Sequence, residues 1–295
     1  MPFVPTARVG LNCTQTGTGP ALCLIAGFRQ NSTAWPEAFI SRLAEHHRVI
    51  LFDNRGTGLS EKPDRGYLLH EQAADLAALL AALEVPRCHI LGFSMGGGIA
   101  QEFAIRVPDR VGRLILFGTL CGGIFSQYAP WSVLRRLFAV DGLGPEEAAR
   151  EAWAVTYSPA YLASNAACVE RQMRRELEHP TPGFVAKRQM HALWHFDCYF
   201  GLPRITAPTL VATGGDDQLV RPYNSTLLAS RIPGARLETL ADLGHRAIWE
   251  APEEIADLIT DFLAGPAASR AAPHGRRPER PAGRHERGVP STAQG

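Results

Sequence analysis

Short apolar runs alternate with amphipathic stretches through the first 119 residues of the chain. The run Ala21–Ala26 ends at Gly27 and the run Arg48–Phe52 ends at Asp53, as expected for short buried strands. In Glu71–Leu83 the apolar residues recur at a spacing of three or four, which predicts a helix. Alternating strands and helices predict an α/β fold with a mostly parallel central sheet flanked by helices.

The same patterns predict eight further elements. The predicted strands are Cys88–Leu91, Leu114–Phe117, Thr209–Thr213 and Arg236–Leu240. The predicted helices are Trp35–Glu45, Ser94–Val107, Pro222–Arg231 and Pro252–Leu263.

Residues 120–205 interrupt this alternation. They show no clear strand pattern and are rich in aromatic residues. Helix-like stretches lie at 145–156, 160–178 and 183–199. We therefore expect residues 1–119 and 206–265 to form the two parts of one core, with 120–205 inserted as a helical cap over the sheet. The mixed charges of 170–176 predict a solvated helix face within this cap.

The last thirty residues, 266–295, have a different composition. They are rich in Arg, Pro, Gly and Ala, and Val289 is their only large apolar residue. A segment that buries so little apolar surface cannot offset its ordering entropy. We expect a disordered basic tail without a part in catalysis. Six Arg and two Glu give this tail a net charge of +4, against +1 for the whole chain.

Composition excludes several classes of protein. A hydrophobic fraction of 45% is too high for a disordered chain. A net charge of +1 gives no reason to expect a nucleic-acid partner. No run of about 18 apolar residues predicts a membrane span, and no secretory signal is recognised, so a cytoplasmic protein is expected. The six cysteines form no C-x-x-C pair, which argues against a zinc or redox motif.

The segment Gly92-Phe93-Ser94-Met95-Gly96 matches the pattern G-x-S-x-G. It lies directly between a predicted strand and a predicted helix, where a sharp turn holds the serine in a strained conformation and needs small flanking residues. In this context Ser94 is a candidate nucleophile. The plain alternative is a glycine-rich turn in which Ser94 only caps the helix.

A serine hydroxyl needs a base to take its proton and a carboxylate to orient that base. For this type of turn the expected chain order is serine, acid, histidine. His245 follows the predicted strand Arg236–Leu240, and Asp216 and Asp217 follow the strand Thr209–Thr213. Open α/β sheets place their sites at such strand ends, so His245 is the candidate base and one of the two aspartates its partner.

The oxyanion of an acyl-transfer reaction needs two hydrogen-bond donors. One is expected from the backbone N–H of Met95, the residue after the nucleophile. The other should come from the loop after an early strand, where the N–H of Phe28 is the candidate. The alternative is that Gly27 merely ends a strand.

With these motifs the chain resembles the α/β-hydrolase fold superfamily over about residues 8–264. The resemblance rests on Gly92–Gly96, on the D-x-R-G-x-G-x-S turn Asp53–Ser60, on G-x-x-D ending at Asp217 and on Gly244-His245. The turn is common in the branch that includes 3-oxoadipate enol-lactonase, perhydrolases and small carboxylesterases. The resemblance implies that Asp217 is the acid, with Asp216 as the fallback.

The chain departs from the family at one place. It has Ala26-Gly27 where the family usually has His-Gly. Because the oxyanion donor is a backbone N–H, the chemistry does not need this histidine. The site's supporting network nevertheless loses one buried polar group.

These observations predict a serine hydrolase that cleaves an ester, lactone or thioester of a hydrophobic substrate. Ser94, His245 and Asp217 would form the triad, with the Phe28 and Met95 N–H groups as the oxyanion hole. Perhydrolysis, C–C bond hydrolysis, aminopeptidase action and a biosynthetic cyclase or lyase reaction remain alternatives, as does a non-catalytic binding protein.

No cofactor and no metal are predicted. His191 and His195 have a helical metal-ligand spacing, but the residues between them lack the glutamate of a zinc-protease helix.

Overall fold

The computed structural model describes residues 3–137 and 142–265. Its strands are β1 (Phe3–Val4), β2 (Leu11–Thr16), β3 (Ala21–Ile25), β4 (Arg48–Phe52), β5 (Cys88–Phe93), β6 (Val111–Phe117), β7 (Thr209–Gly214) and β8 (Arg236–Leu240). Its helices are α1 (Glu37–Ala44), α2 (Leu69–Ala82), α3 (Met95–Arg106), α4 (Trp131–Leu137), α5 (Pro145–Trp153), α6 (Pro159–Ser164), α7 (Ala166–Leu177), α8 (Gly183–Trp194), α9 (Pro222–Arg231), α10 (Ala247–Glu250) and α11 (Pro252–Ala264).

The strands form one sheet in the order β1-β2-β4-β3-β5-β6-β7-β8. All neighbours from β4 to β8 pair in parallel, whereas β1 and β2 form antiparallel pairs at one edge. The predicted mostly parallel sheet is therefore confirmed. Its two antiparallel edge strands were not among the predicted elements.

Helices cover both faces of this sheet. Alternate residues of β3 point to opposite faces, as the pleat of a strand requires. Cys23 and Ile25 pack in the cluster that includes α2 and α3, while Leu22 and Leu24 pack in the cluster that includes α1 and α11. The central strands are buried on both faces, which explains why they are continuous apolar runs in the sequence.

Among the described residues between β6 and β7, where the sequence predicted a cap, five helices are present, α4 to α8. The predicted helix-like stretch 160–178 is two helices, because Asn165 leaves the helical conformation between α6 and α7 (φ −127°, ψ 26°). The predicted stretch 183–199 ends as a helix at Trp194, and a short 3₁₀ turn, Tyr199–Arg204, leads towards β7.

The predicted basic tail, 266–295, lies outside the described residues. Within 3–137 and 142–265, no helix combines the length and the apolar character needed to cross a membrane.

Candidate active site

Ser94 occupies the turn between β5 and α3. Its backbone lies at φ 54° and ψ −120°, a left-handed conformation that costs free energy in any residue with a Cβ. The turn is held on both sides, since the N–H of Ser94 donates to the Phe117 carbonyl at 2.9 Å and its carbonyl accepts from the Gly97 N–H at 2.8 Å. Such strain is typical of functional sites.

Two glycines make this turn possible. A Cβ at Gly96 would lie 2.1 Å from the carbonyl oxygen of Ile25, and one at Gly92 would lie 2.5 Å from the carbonyl oxygen of Gly96. Both obstacles are backbone atoms, which cannot move aside as a flexible side chain can. The G-x-S-x-G pattern is therefore a packing requirement of the strand-to-helix turn.

The structure brings Ser94, His245 and Asp217 together. His245 Nε2 lies 3.1 Å from Ser94 Oγ, and His245 Nδ1 lies 2.7 Å from Asp217 Oδ2. The three residues follow β5, β8 and β7, so all lie at the carboxyl edge of the sheet. Because a carboxylate only accepts, Nδ1 donates its proton to Asp217, and Nε2 is left to accept from the Ser94 hydroxyl.

Asp217 is fixed by its own loop. Its Oδ1 accepts from the N–H groups of Leu219 at 2.9 Å and Val220 at 2.8 Å, which leaves Oδ2 for His245. Asp217 is only 3% exposed. Asp216, by contrast, has an exposed side chain, and only its backbone N–H is engaged, with the Leu243 carbonyl. Of the two candidate acids, the structure thus brings Asp217 to the histidine.

Phe28 and Met95, the two predicted oxyanion donors, both line the cavity beside Ser94. Met95 is the first residue of α3, whose N-terminus carries a partial positive charge. Phe28 follows the end of β3. The two residues therefore follow neighbouring strands of the sheet, β3 and β5.

The loop with Ala26 in place of the family's usual histidine has other polar support. Asn54 Nδ2 donates to the Ala26 carbonyl at 3.2 Å. Gln30 Oε1 accepts from the Gly27 N–H at 3.0 Å, and the Gln30 N–H donates back to the Gly27 carbonyl at 3.2 Å. Two neutral amides thus hold the backbone of the loop that the missing histidine would have helped to support.

The turn Asp53–Ser60 is anchored by the carboxylate of Asp53. That carboxylate accepts from the Ser32 N–H at 2.7 Å, from Asn12 Nδ2 at 2.9 Å and from the Leu59 N–H at 2.8 Å. These three hydrogen bonds connect the turn to β2 through Asn12, to the loop before α1 through Ser32 and to its own backbone through Leu59. The carboxylate therefore acts as scaffold.

A cavity of about 190 Å³ lies between the sheet edge and the helices α4, α5, α7 and α8. Most of its walls are apolar. They include Phe28, Leu134, Trp153, Met173, Leu193 and Val220. Ser94 and His245 also line the cavity, so a ligand inside it meets the Ser94 hydroxyl.

Three charged side chains also line this cavity, and the sequence patterns did not single them out: Arg29, Glu176 and Arg246. Arg246 donates to both oxygens of Glu176, at 2.7 and 3.0 Å. Its guanidinium also lies over the rings of Trp153, Trp249 and Tyr157, at 4.3, 4.9 and 5.4 Å from their centroids. The prediction that 170–176 forms a solvated helix face is wrong at Glu176, which turns into the cavity.

The pKa values of the two arginines are shifted in opposite directions. Burial lowers the pKa of Arg29, an effect that the charge of Glu176 partly opposes. For Arg246, burial is the largest single effect and also acts to lower the pKa, but the charge of Glu176, the interaction with Tyr157 and the hydrogen bonds to both residues together outweigh it, so the pKa is raised. Both guanidinium groups are charged at neutral pH, since the ordinary arginine pKa is far above 7.

His191 and His195 contact each other, with ring centroids 4.0 Å apart, and His195 Nδ1 lies 2.8 Å from the His191 carbonyl oxygen. In the described part of the chain, no three His, Cys, Asp or Glu side chains gather in a way that could hold a metal ion.

Comparisons with known proteins agree with this architecture. Residues 20–252 match the family model described as alpha/beta hydrolase fold. A putative carbamate hydrolase RutD from Azorhizobium caulinodans is 31% identical over 262 residues, which cover 89% of this chain and 98% of that protein. A 2-hydroxymuconate semialdehyde hydrolase from a Pseudomonas species is also 31% identical, over 88% of this chain and 92% of that protein.

A solved structure shows the same fold. The enol-lactonase from Burkholderia xenovorans superposes with a TM-score of 0.79, at 24% identity, over 90% of this chain and 100% of that one.

Proposed function

The chain belongs to the α/β-hydrolase fold family, and we propose that it is a cofactor-independent serine hydrolase that cleaves an ester, lactone or thioester. The observation that carries this proposal is the hydrogen-bonded series Ser94 Oγ, His245 Nε2, His245 Nδ1 and Asp217 Oδ2, with distances of 3.1 and 2.7 Å. Each atom has the donor or acceptor character that nucleophilic catalysis requires.

In the first half of the reaction, Ser94 Oγ attacks the substrate carbonyl while His245 Nε2 takes its proton. Asp217 stabilises the imidazolium that forms. The tetrahedral intermediate places its oxyanion near the N–H groups of Phe28 and Met95. Loss of one such donor typically lowers kcat by about 100- to 1000-fold. Collapse of the intermediate expels the leaving group, which receives the proton from His245, and leaves an acyl group on Ser94.

In the second half, His245 takes a proton from water, which attacks the acyl-enzyme. The same oxyanion donors serve again, and Ser94 recovers its proton when the acid product leaves. The apolar walls of the cavity support a hydrophobic acyl group, since such walls stabilise apolar surface by about 25 cal/mol per Å² buried.

A serine-directed fluorophosphonate tests the nucleophile. We expect the intact protein to be labelled once, on Ser94, and Ser94→Ala to lose the label. Ser230→Ala is the matched control, because Ser230 is exposed on α9 and its hydroxyl donates only to the Leu227 carbonyl. Unchanged labelling of Ser94→Ala would remove Ser94 from its proposed role.

A substrate panel then tests the reaction class. It should contain 4-nitrophenyl esters of increasing chain length, a lactone and a thioester. A carbamate and 2-hydroxymuconate semialdehyde should be included, because the relatives named above are a putative carbamate hydrolase and a 2-hydroxymuconate semialdehyde hydrolase. Turnover of the esters and loss of that turnover in Ser94→Ala are the expected results. Turnover of the carbamate or the semialdehyde alone would contradict the ester, lactone or thioester assignment.

A further inference from the structure

Arg29 lines the cavity and directly follows the proposed oxyanion residue Phe28. Its backbone has φ 61°, one of four positive-φ residues other than glycine in the described chain, and this conformation costs free energy. Two cap residues hold it there. The Arg29 N–H donates to Gln189 Oε1 at 3.0 Å, and Thr181 Oγ1 donates to the Arg29 carbonyl at 2.8 Å. The strained backbone therefore has a fixed position at the cavity wall.

The guanidinium of Arg29 has no hydrogen bond and no ion pair within residues 3–137 and 142–265. Glu176 is the one acidic side chain that the described residues contribute to the cavity wall. Both of its oxygens are engaged by Arg246, at 2.7 and 3.0 Å. Of the two cavity arginines, Arg246 thus forms an ion pair with Glu176, whereas no described carboxylate forms an ion pair with Arg29.

An unpaired cation in a largely apolar cavity is costly, because it has lost part of its hydration without gaining an anion. Burial lowers the pKa of Arg29, which reports the same loss of hydration. A ligand with a negative charge would remove this cost. Arg29, Arg246 and Glu176 together give the described cavity wall a net charge of +1. A single carboxylate on the ligand would neutralise this charge.

We infer that Arg29 binds a carboxylate that the substrate carries apart from the bond to be cleaved. This inference rests on the proposed hydrolase function and narrows its substrate class to half-esters, or the corresponding lactones and thioesters, of dicarboxylic acids with an apolar chain. The planar guanidinium can donate two parallel N–H···O bonds to the carboxylate. Arg29 is thus a specificity residue, placed beside the oxyanion donors so that the charged end and the reacting carbonyl are positioned together.

Paired substrates test this directly. Each pair contains a mono-4-nitrophenyl ester of adipic or suberic acid and the same molecule with its free carboxyl as a methyl ester. The two members have the same 4-nitrophenyl leaving group and nearly the same length, so the ratio of their kcat/KM values isolates the effect of the charge. We expect the wild-type protein to favour the acid in at least one pair.

Arg29→Met should reduce this ratio by about 10- to 100-fold, the range expected for loss of a charge-assisted hydrogen bond. Arg29→Lys should give an intermediate ratio, because lysine keeps the charge and loses the planar fork. Arg188→Met is the matched control. Arg188 is an exposed cap arginine outside the cavity lining, and its guanidinium lies over the Tyr67 ring, so the ratio should stay at the wild-type value.

A wild-type ratio at or below one in both pairs would overturn the inference without any variant, as would an unchanged ratio in Arg29→Met. If Arg29→Met does not fold, Arg29→Gln replaces it in the same comparison. Turnover of the methyl esters without any preference for the acids would contradict this inference alone. Failure to hydrolyse either member of a pair or any other ester would instead contradict the proposed function.

Discussion

Arg246 joins the loop that carries His245 to cap helix α7, because it donates to both carboxylate oxygens of Glu176 at 2.7 and 3.0 Å. The side chains of Arg246 and Glu176 are only 7% and 14% exposed. The Arg246 N–H also donates to the Thr156 carbonyl at 2.8 Å. The residue next to the proposed base is thus tied to the cap by its backbone and by its side chain.

Glu176→Gln should destabilise the protein by about 3–5 kcal/mol, since removal of one partner leaves the buried Arg246 charge uncompensated. Glu170→Gln is the matched control on the same helix. Glu170 pairs with the exposed Arg150, and such surface pairs contribute about 0–1 kcal/mol. Chemical denaturation measures both effects. Equal free energies of unfolding in the two variants would mean that the Arg246–Glu176 pair does not stabilise the fold.

The orientation of His245 should depend on Asp217 and not on Asp216. Asp217→Asn keeps the shape of the side chain but favours the wrong tautomer of His245, so we expect kcat to fall by about 10,000-fold. Asp216→Asn should leave kcat near the wild-type value, because the Asp216 side chain is exposed. Steady-state kinetics on the preferred ester measures both. A larger loss in Asp216→Asn would assign the orienting role to Asp216.

The sequence was informative where one short-range pattern determines the structure. β4 (Arg48–Phe52) and α9 (Pro222–Arg231) have the predicted bounds, because each has a single clear periodicity with breakers at its ends. The edge strand β2 was missed because Asn12 and Gln15 interrupt its apolar pattern. Asn12 is nevertheless buried, and its side-chain amide donates to Asp53, a partner that lies 41 residues further along the chain.

In the candidate site, too, local sequence patterns identified some residues, whereas residues that depend on long-range contacts were missed. Gly92–Gly96, Asp217 and His245 could be found because each lies at or after the end of a predicted strand and has a characteristic neighbour. Glu176 and Arg246 could not, because their relationship joins α7 to the His245 loop across 70 positions of the chain. A glutamate within a run of mixed charges gives no local indication that it turns inward. Arg29 likewise depends on how the cap closes over the loop after β3.

Thiol reactivity should distinguish one cysteine from the other five. Cys168 is exposed and the remaining five are buried. Burial raises the pKa of Cys13 to about 11 and that of Cys88 to about 12, so little thiolate, the reactive form, exists at pH 8. Ellman's reagent should therefore titrate one thiol in the folded protein and six in denaturant. Cys168→Ser should reduce the folded value to zero, and rapid reaction of a second thiol in that variant would contradict the described packing.

Two neighbouring histidines should make the stability of the fold depend on pH. His47 directly precedes β4, and His89 is the second residue of β5. The rings of His47 and His89 lie 6.0 Å apart, and the Nδ1 atom of each is buried without a hydrogen-bond partner in the described structure. Burial, followed by the positive charges of His47, Arg113 and Arg87, lowers the pKa of His89 to about 4. An unfolded histidine has its ordinary pKa of about 6.5.

Between pH 6.5 and about 4, the unfolded chain therefore binds a proton at His89 that the folded chain does not bind. The free energy of unfolding should fall as the pH decreases through this window, by about 1–2 kcal/mol between pH 7.5 and 5, because the ring is partly exposed and keeps some of its hydration. Urea denaturation at both pH values measures the fall. His89→Gln should reduce it, whereas His70→Gln should not, since His70 is exposed on α2. If both variants kept the full wild-type fall, the acid sensitivity would have to come from groups other than His89.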